Sequence, residues 1–145
     1  SAMGTHQRDW LTGPVHGPVE FSWSRRGHSL LRDVHGHHHW DVVQGFDSAT
    51  DSLDLPGDGG DSGKLRRLSA HVERLRAGQI REALGGRDFM AESVVAFTAE
   101  HYKGTFIVQN DGVNGYQADS DLIVFLKAYD LRQDGAVQLG GNYRP

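Results

Sequence analysis

The chain contains no cysteine. Disulfides, cysteine-ligated zinc and thiol catalysis are therefore excluded. Proline is scarce, at 4 residues, and no apolar run approaches the ~20 residues that a membrane-spanning helix needs. Neither sign of charge forms a block. The formal net charge is -4, and the one arginine-dense stretch, Lys64 to Arg81, is interleaved with apolar residues. The clustered positive face that a nucleic-acid backbone requires is missing, so no nucleic-acid partner is expected. No N-terminal signal-peptide pattern is present. Ser1-Ala2-Met3-Gly4 reads as the remnant of a cleaved tag.

What is abundant is glycine, at 19 of 145 residues, against a usual ~7%. Mean hydropathy is -0.52. That is a polar composition with enough apolar residues for one core. Short apolar runs between glycine-rich turns favour strands over long helices. Val19 to Ser24 alternates apolar and polar, Asp41 to Phe46 reads as a short strand, and Leu53 and Leu55 share one face of another. Ser93 to Thr98 and Thr105 to Asn110 read as a hairpin. Leu122 to Leu126 is continuously apolar, which suits a central strand covered on both faces. Leu65, Leu68, Val72 and Leu75 step by three or four, so a helical segment is expected over about 64–84. No internal repeat is evident. The expected fold is α+β: a mainly antiparallel β-sheet or small sandwich carrying that helical insert. Residues 1–18 form an irregular lead-in, 19–130 a single β-rich module and 131–145 a tail.

Two sets of side chains could hold a cation. Asp47, Asp51 and Asp54 lie in one turn-rich stretch. Asn110, Asp111, Asn114, Asp119 and Asp121 lie in another. Closely spaced Asp and Asn oxygens in glycine-containing loops suit calcium, although the second loop does not follow the EF-hand pattern. The same residues also form turns for purely local reasons. The second set is the histidine run His35, His37, His38 and His39. On an extended segment His35, His37 and His39 share a face, and neutral imidazoles ligate zinc, nickel or copper. There is no HExxH, no Gly-x-Ser-x-Gly elbow and no phosphate-binding glycine loop.

Two stretches together resemble known secreted modules. Trp40-Asp41-Val42-Val43-Gln44-Gly45-Phe46-Asp47-Ser48-Ala49-Thr50-Asp51-Ser52-Leu53-Asp54-Leu55 is similar to the segment that closes the calcium-binding β-roll of RTX proteins and serralysin-type C-terminal domains. Gly104 to Leu126, with Asn110-Asp111-Gly112-Val113-Asn114-Gly115-Tyr116-Gln117-Ala118-Asp119-Ser120-Asp121 at its centre, resembles the closing motif of the bluetail domain. The chain lacks the Gly-Gly-x-Gly-x-Asp repeats of a β-roll, and histidines stand where small and acidic residues would precede Asp41. The resemblance implies a non-catalytic, calcium-supported C-terminal module of a secreted or surface-exposed bacterial protein. Its expected partners are an upstream repeat region and the type I secretion machinery or the cell surface. Capping an exposed sheet edge would be its physical task, and edge pairing could also join two copies. The alternative expectation is a transition-metal-binding domain or metal-dependent enzyme built on the histidines, with zinc or nickel.

Overall fold

The structure is a computed structural model. It describes residues 2–3, 10–12, 20–23, 29–31, 38–55, 63–85, 93–111, 113–118 and 120–139. The chain enters through β1 (Ala2–Met3), β2 (Trp10–Thr12), β3 (Glu20–Ser22), β4 (Asp41–Gln44) and β5 (Ser52–Asp54). It continues through β6 (Lys64–Leu65), β7 (Leu68–Val72), α1 (Ala77–Ala83), β8 (Val94–Ala99) and β9 (Gly104–Gln109). It closes with β10 (Leu122–Lys127), α2 (Leu131–Asp134) and β11 (Val137–Leu139). The result is an α+β sandwich of two mixed sheets. A 5-stranded sheet runs β1-β3-β5-β11-β6 and a 6-stranded sheet runs β2-β4-β10-β9-β8-β7.

The connectivity is that of a coil. Strands β1 to β5 alternate between the two sheets, so each strand pairs with the one two places on. The pairs β1–β3, β3–β5 and β2–β4 are all parallel. After the excursion from β6 to β9, the chain resumes the same winding. β10 lies parallel to β4 and β11 lies parallel to β5. The antiparallel pairing expected from the sequence is confined to one end. There β9 pairs with β8 and β10, and β6 pairs with β11.

Strand alternation sorts the side chains. Leu11, Val43 and Leu126 are in register in the larger sheet, and Phe21, Leu53 and Leu139 in the smaller. All pack into the core between the sheets. The opposite face of the larger sheet carries a second core, with Val42, Phe125, Phe106 and Phe97. Ile80, Ala77 and Leu84 of α1 and its end cover that face, together with Trp40 and Tyr116. Its aromatic rings stack across the strands: Phe106 lies 4.4 Å from Phe125 and 5.1 Å from Phe97, centroid to centroid. Among the described residues no helix is long and apolar enough to cross a membrane.

Three expectations need correction. The helix expected over 64–84 is limited to Ala77–Ala83, and the residues before it form β6 and β7. The cause is a bulge: Leu68 pairs with Ala96 but Ala70 pairs with Phe97. One extra residue on a strand stretches its two-residue alternation towards the three- and four-residue steps of a helix. Residues 131–139 are not a tail, because Leu131, Val137 and Leu139 are buried in the inter-sheet core. The lead-in also contributes strands, β1 and β2, to both sheets.

Candidate docking end and acidic loops

The two sheets finish differently at their two ends. At one end the outermost strands are β6 and β7. β6 has 2 residues, β7 carries the bulge, and exposed Arg66 and Arg67 lie between them. Short strands, bulges and charge are the devices that keep an edge from pairing further. At the other end the outermost strands are β1 and β2, one in each sheet. Both run parallel to their neighbours, so among the described residues the coil is open there in both sheets. Leu11 of β2 is partly buried against the inner core. Trp10, in register with Val42, is 50% exposed. The Lys127 ammonium lies 5.0 Å from the Trp10 ring centroid, a cation–π contact that props the ring at the rim.

The acidic residues serve the corners of the coil. After β4, Gly45 takes a φ of 74°, and Phe46 and Asp47 follow. The Asp47 backbone N–H donates to Asp51 Oδ2 at 2.9 Å, and Ala49 N–H donates to Asp47 Oδ1 at 2.9 Å. After β10 the same turn recurs. Ala128 has a φ of 61°, and Tyr129 and Asp130 follow. Asp130 N–H donates to Asp134 Oδ2 at 2.8 Å, and Arg132 N–H donates to Asp130 Oδ1 at 2.9 Å. The two turns stack, with Phe46 and Tyr129 edge-to-face at 5.3 Å. The Tyr129 hydroxyl donates to the Gly135 carbonyl. Burial first, and then the Asp134 and Asp47 charges, raise its pKa, against a lowering hydrogen bond from Ser48. This pair of turns is the repeat that sequence inspection missed. Its signal was the shared spacing of an aromatic residue, an aspartate and a second aspartate four positions on.

The β9–β10 loop brings Asp111 and Asp121 together. Asp121 is fully buried. Its Oδ1 accepts from Asp111 N–H at 3.0 Å and its Oδ2 from Gln117 N–H at 2.8 Å. Ser120 donates to Asp111 Oδ2 at 2.8 Å. Burial pushes the Asp121 pKa from 3.8 to about 7, helped by the Asp111 charge and opposed by the two backbone N–H donors. Asp119 lies outside the described residues. Asp54 supplies a backbone carbonyl to Trp23 N–H. Among the described residues no three His, Asp or Glu side chains converge as a ligand set. Any cation at this loop would draw the rest of its six to eight oxygens from backbone carbonyls, amide side chains and water.

Of the histidine run, His35 and His37 lie outside the described residues. His39 donates its backbone N–H to the Leu30 carbonyl, and the His38 ring packs 4.8 Å from Trp40. The strand that follows opens on Asp41, which is buried and accepts from the Trp23 indole at 2.6 Å. His71 is a separate feature. Its Nδ1 lies 2.6 Å from Thr98 Oγ1 and its Nε2 3.1 Å from Glu100 Oε1, in an open cleft of about 650 Å³. His71 and Glu100 are 52% and 56% exposed, so water screens this relay and its contribution is a cross-strand tie between β7 and β8.

No protein-family model matches the chain, and neither a curated protein nor a solved structure matches it.

Proposed function

We propose that this chain is a non-catalytic, calcium-supported end module that closes a two-sheet parallel coil. The observation that carries the reading is the winding itself. β1 to β5, then β10 and β11, alternate between the sheets in parallel register, and among the described residues both sheets stop on open strands at the same end. An open pair of parallel edges is a template for one more coil of the same kind. The excursion β6 to β9, with β7 parallel and β9 antiparallel to β8, closes the other end. In this reading the partner is an upstream repeat region, and the module ends the array. Secretion from a bacterial cell through a type I system, and a place outside the cell, follow from the resemblance to RTX and bluetail modules.

Calcium is assigned first to the Asp111–Asp121 loop. Two carboxylates meet there and one is buried, which penalises its charge. A divalent cation would favour that charge and tighten the loop. Asp47 and Asp51 come second, because their oxygens already cap their own turn. Calcium outside the cell would favour the folded state by mass action.

A thermal melt of chelator-treated protein, repeated with calcium, zinc or nickel at matched ionic strength, tests the reading. The expected result is a higher Tm with calcium alone, lost in Asp121→Asn. Equal melting with calcium and with excess chelator removes the calcium role. A rise with zinc or nickel alone, at one equivalent, transfers the site to the histidines.

A further inference from the structure

The arginine-dense stretch is interleaved with apolar residues along the chain, and the fold separates the two kinds. Leu65 and Leu68 pack against the inter-sheet core and Leu75 against the second core, while Ala77 and Ile80 are the buried residues of α1. Lys64, Arg66, Arg67, Arg74, Arg76 and Arg81 are left exposed. They stand on β6, on both flanks of β7 and on α1, which packs beside β7, so all gather at the closed end of the sandwich. Glu73 and Glu82 are the acids of residues 63–85, in a chain whose net charge is -4. None of the cations makes an ion pair with a described residue. Arg67 and Arg74 flank β7, and seven steps of extended chain put them roughly 20 Å apart along the edge. The open cleft of about 650 Å³ adjoins this row, for Leu68 to His71 form one of its walls. Thr98, Glu100, Lys103, Asp130 and Arg132 line the rest of it with hydrogen-bonding groups.

We propose that the β6–β7 edge and its cleft bind an acidic polysaccharide, an extended chain of sugars carrying carboxylate or sulfate groups. All the cations but Lys64 are arginines, whose planar forks bind oxyanions through paired hydrogen bonds. Their side chains have no acid of this chain to leave, so pairing with a ligand breaks nothing. A row, rather than a ring, of cations suits a linear polymer better than a single anion. The cleft supplies what sugar hydroxyls need: Glu100 and Asp130 accept hydrogen bonds, and Thr98 and His71 can exchange them. A duplex nucleic acid fits less well. Its dense phosphates would meet Glu100 and Asp130 in the cleft and the excess of acid over the rest of the chain. The surface is independent of the end-module reading, because β1, β2 and the acidic loops take no part in it, and either can fail alone.

The test is isothermal titration calorimetry of the full chain in chelator, so that no cation bridges the polymer to the acidic loops. The probes are polygalacturonate, dextran sulfate, neutral dextran, duplex DNA and phosphatidylglycerol vesicles, all at one ionic strength. Saturable binding to polygalacturonate or dextran sulfate is expected, with none to neutral dextran and weaker binding to DNA and vesicles. Arg66→Glu combined with Arg67→Glu should weaken polysaccharide binding at least about tenfold, the scale of two surface ion pairs. Glutamates keep the edge charged against strand pairing, so a purely protective role for the arginines predicts no change. Arg74→Glu combined with Arg76→Glu makes the same test at the far end of the row, and a folding loss in one pair leaves the other. His71→Ala should weaken binding about fivefold, one hydrogen bond's worth. The proposal is overturned if neither acidic polymer binds, or if both reversed pairs melt and bind like the parent. It is overturned equally if DNA or the vesicles bind as tightly as the polysaccharide, or if His71→Ala leaves the affinity unchanged, since charge alone would then account for the binding.

Discussion

Gly104 opens β9 with a φ of 147°, and a Cβ at that position would drive into the Leu126 carbonyl and the Phe125 ring. Gly45 also has a positive φ, but nothing lies within 4 Å of where its Cβ would be. The two glycines separate backbone strain from collision. Gly45→Ala is expected to cost about 1 kcal/mol, the strain alone. Gly104→Ala is expected to cost about 3 kcal/mol, because backbone and a core ring must both move. Urea unfolding of the two variants gives both numbers, and equal losses would contradict the collision. Asp121 makes a second prediction. Its folded pKa of about 7 lies above its ordinary 3.8. Between those values the folded state keeps a proton that the unfolded chain releases, so rising pH favours unfolding. In chelator, stability should therefore fall as pH rises from about 4 to about 7, and Asp121→Asn should flatten that slope. Saturating calcium should flatten it too, by lowering the folded pKa. A slope unchanged in Asp121→Asn would place the titration elsewhere.

The turns after β4 and β10 are the same device used twice, and each should respond alike. Asp51→Ala and Asp134→Ala each remove a carboxylate that accepts the N–H of a residue four positions back. Each is expected to lower stability by about 1 kcal/mol, the scale of a lost helix cap, measured by denaturant unfolding. Sequence patterning located about half of the elements of the fold. β4, β5, β8, β9 and β10 were legible because their apolar runs alternate, or run unbroken between turn residues. β1, β2 and β11 were not: each is two or three residues long and lies in a segment read as lead-in or tail, whereas the equally short β3 and β5 lie within longer alternating runs. β7 read as helix because its bulge distorts the period. Of the apolar residues that the strand and helix patterns place on inner faces, Val42, Phe46, Leu53, Val72, Phe97, Phe106, Val108, Ile123 and Phe125 are buried, while Leu68, Leu75 and Val95 are partly exposed.

At the level of the whole molecule the coil escaped notice because residues 56–121 separate one winding from the next. Nothing local says that Val42 will pair with Phe125. The acidic residues of the candidate site were legible as turn and loop residues. The burial of Asp121 was not, because it depends on how the β9–β10 loop folds over the second core. The resumed winding also makes the last segment structural. A chain ending at residue 130 loses the buried Leu131, Val137 and Leu139, each a side chain whose burial is worth about 1.5–3 kcal/mol. Such a chain should lose its cooperative thermal transition and its near-ultraviolet circular dichroism, whereas a tail could be removed without either loss. The open end is the central claim, and equilibrium unfolding in urea of the chain with residues 2–20 duplicated in front tests it most directly. A docked extra coil enlarges one cooperative unit, so a single transition with a larger m-value and a higher midpoint is predicted. An unchanged m-value and midpoint, or a second transition at low urea, would show that the added coil finds no partner at β1 and β2.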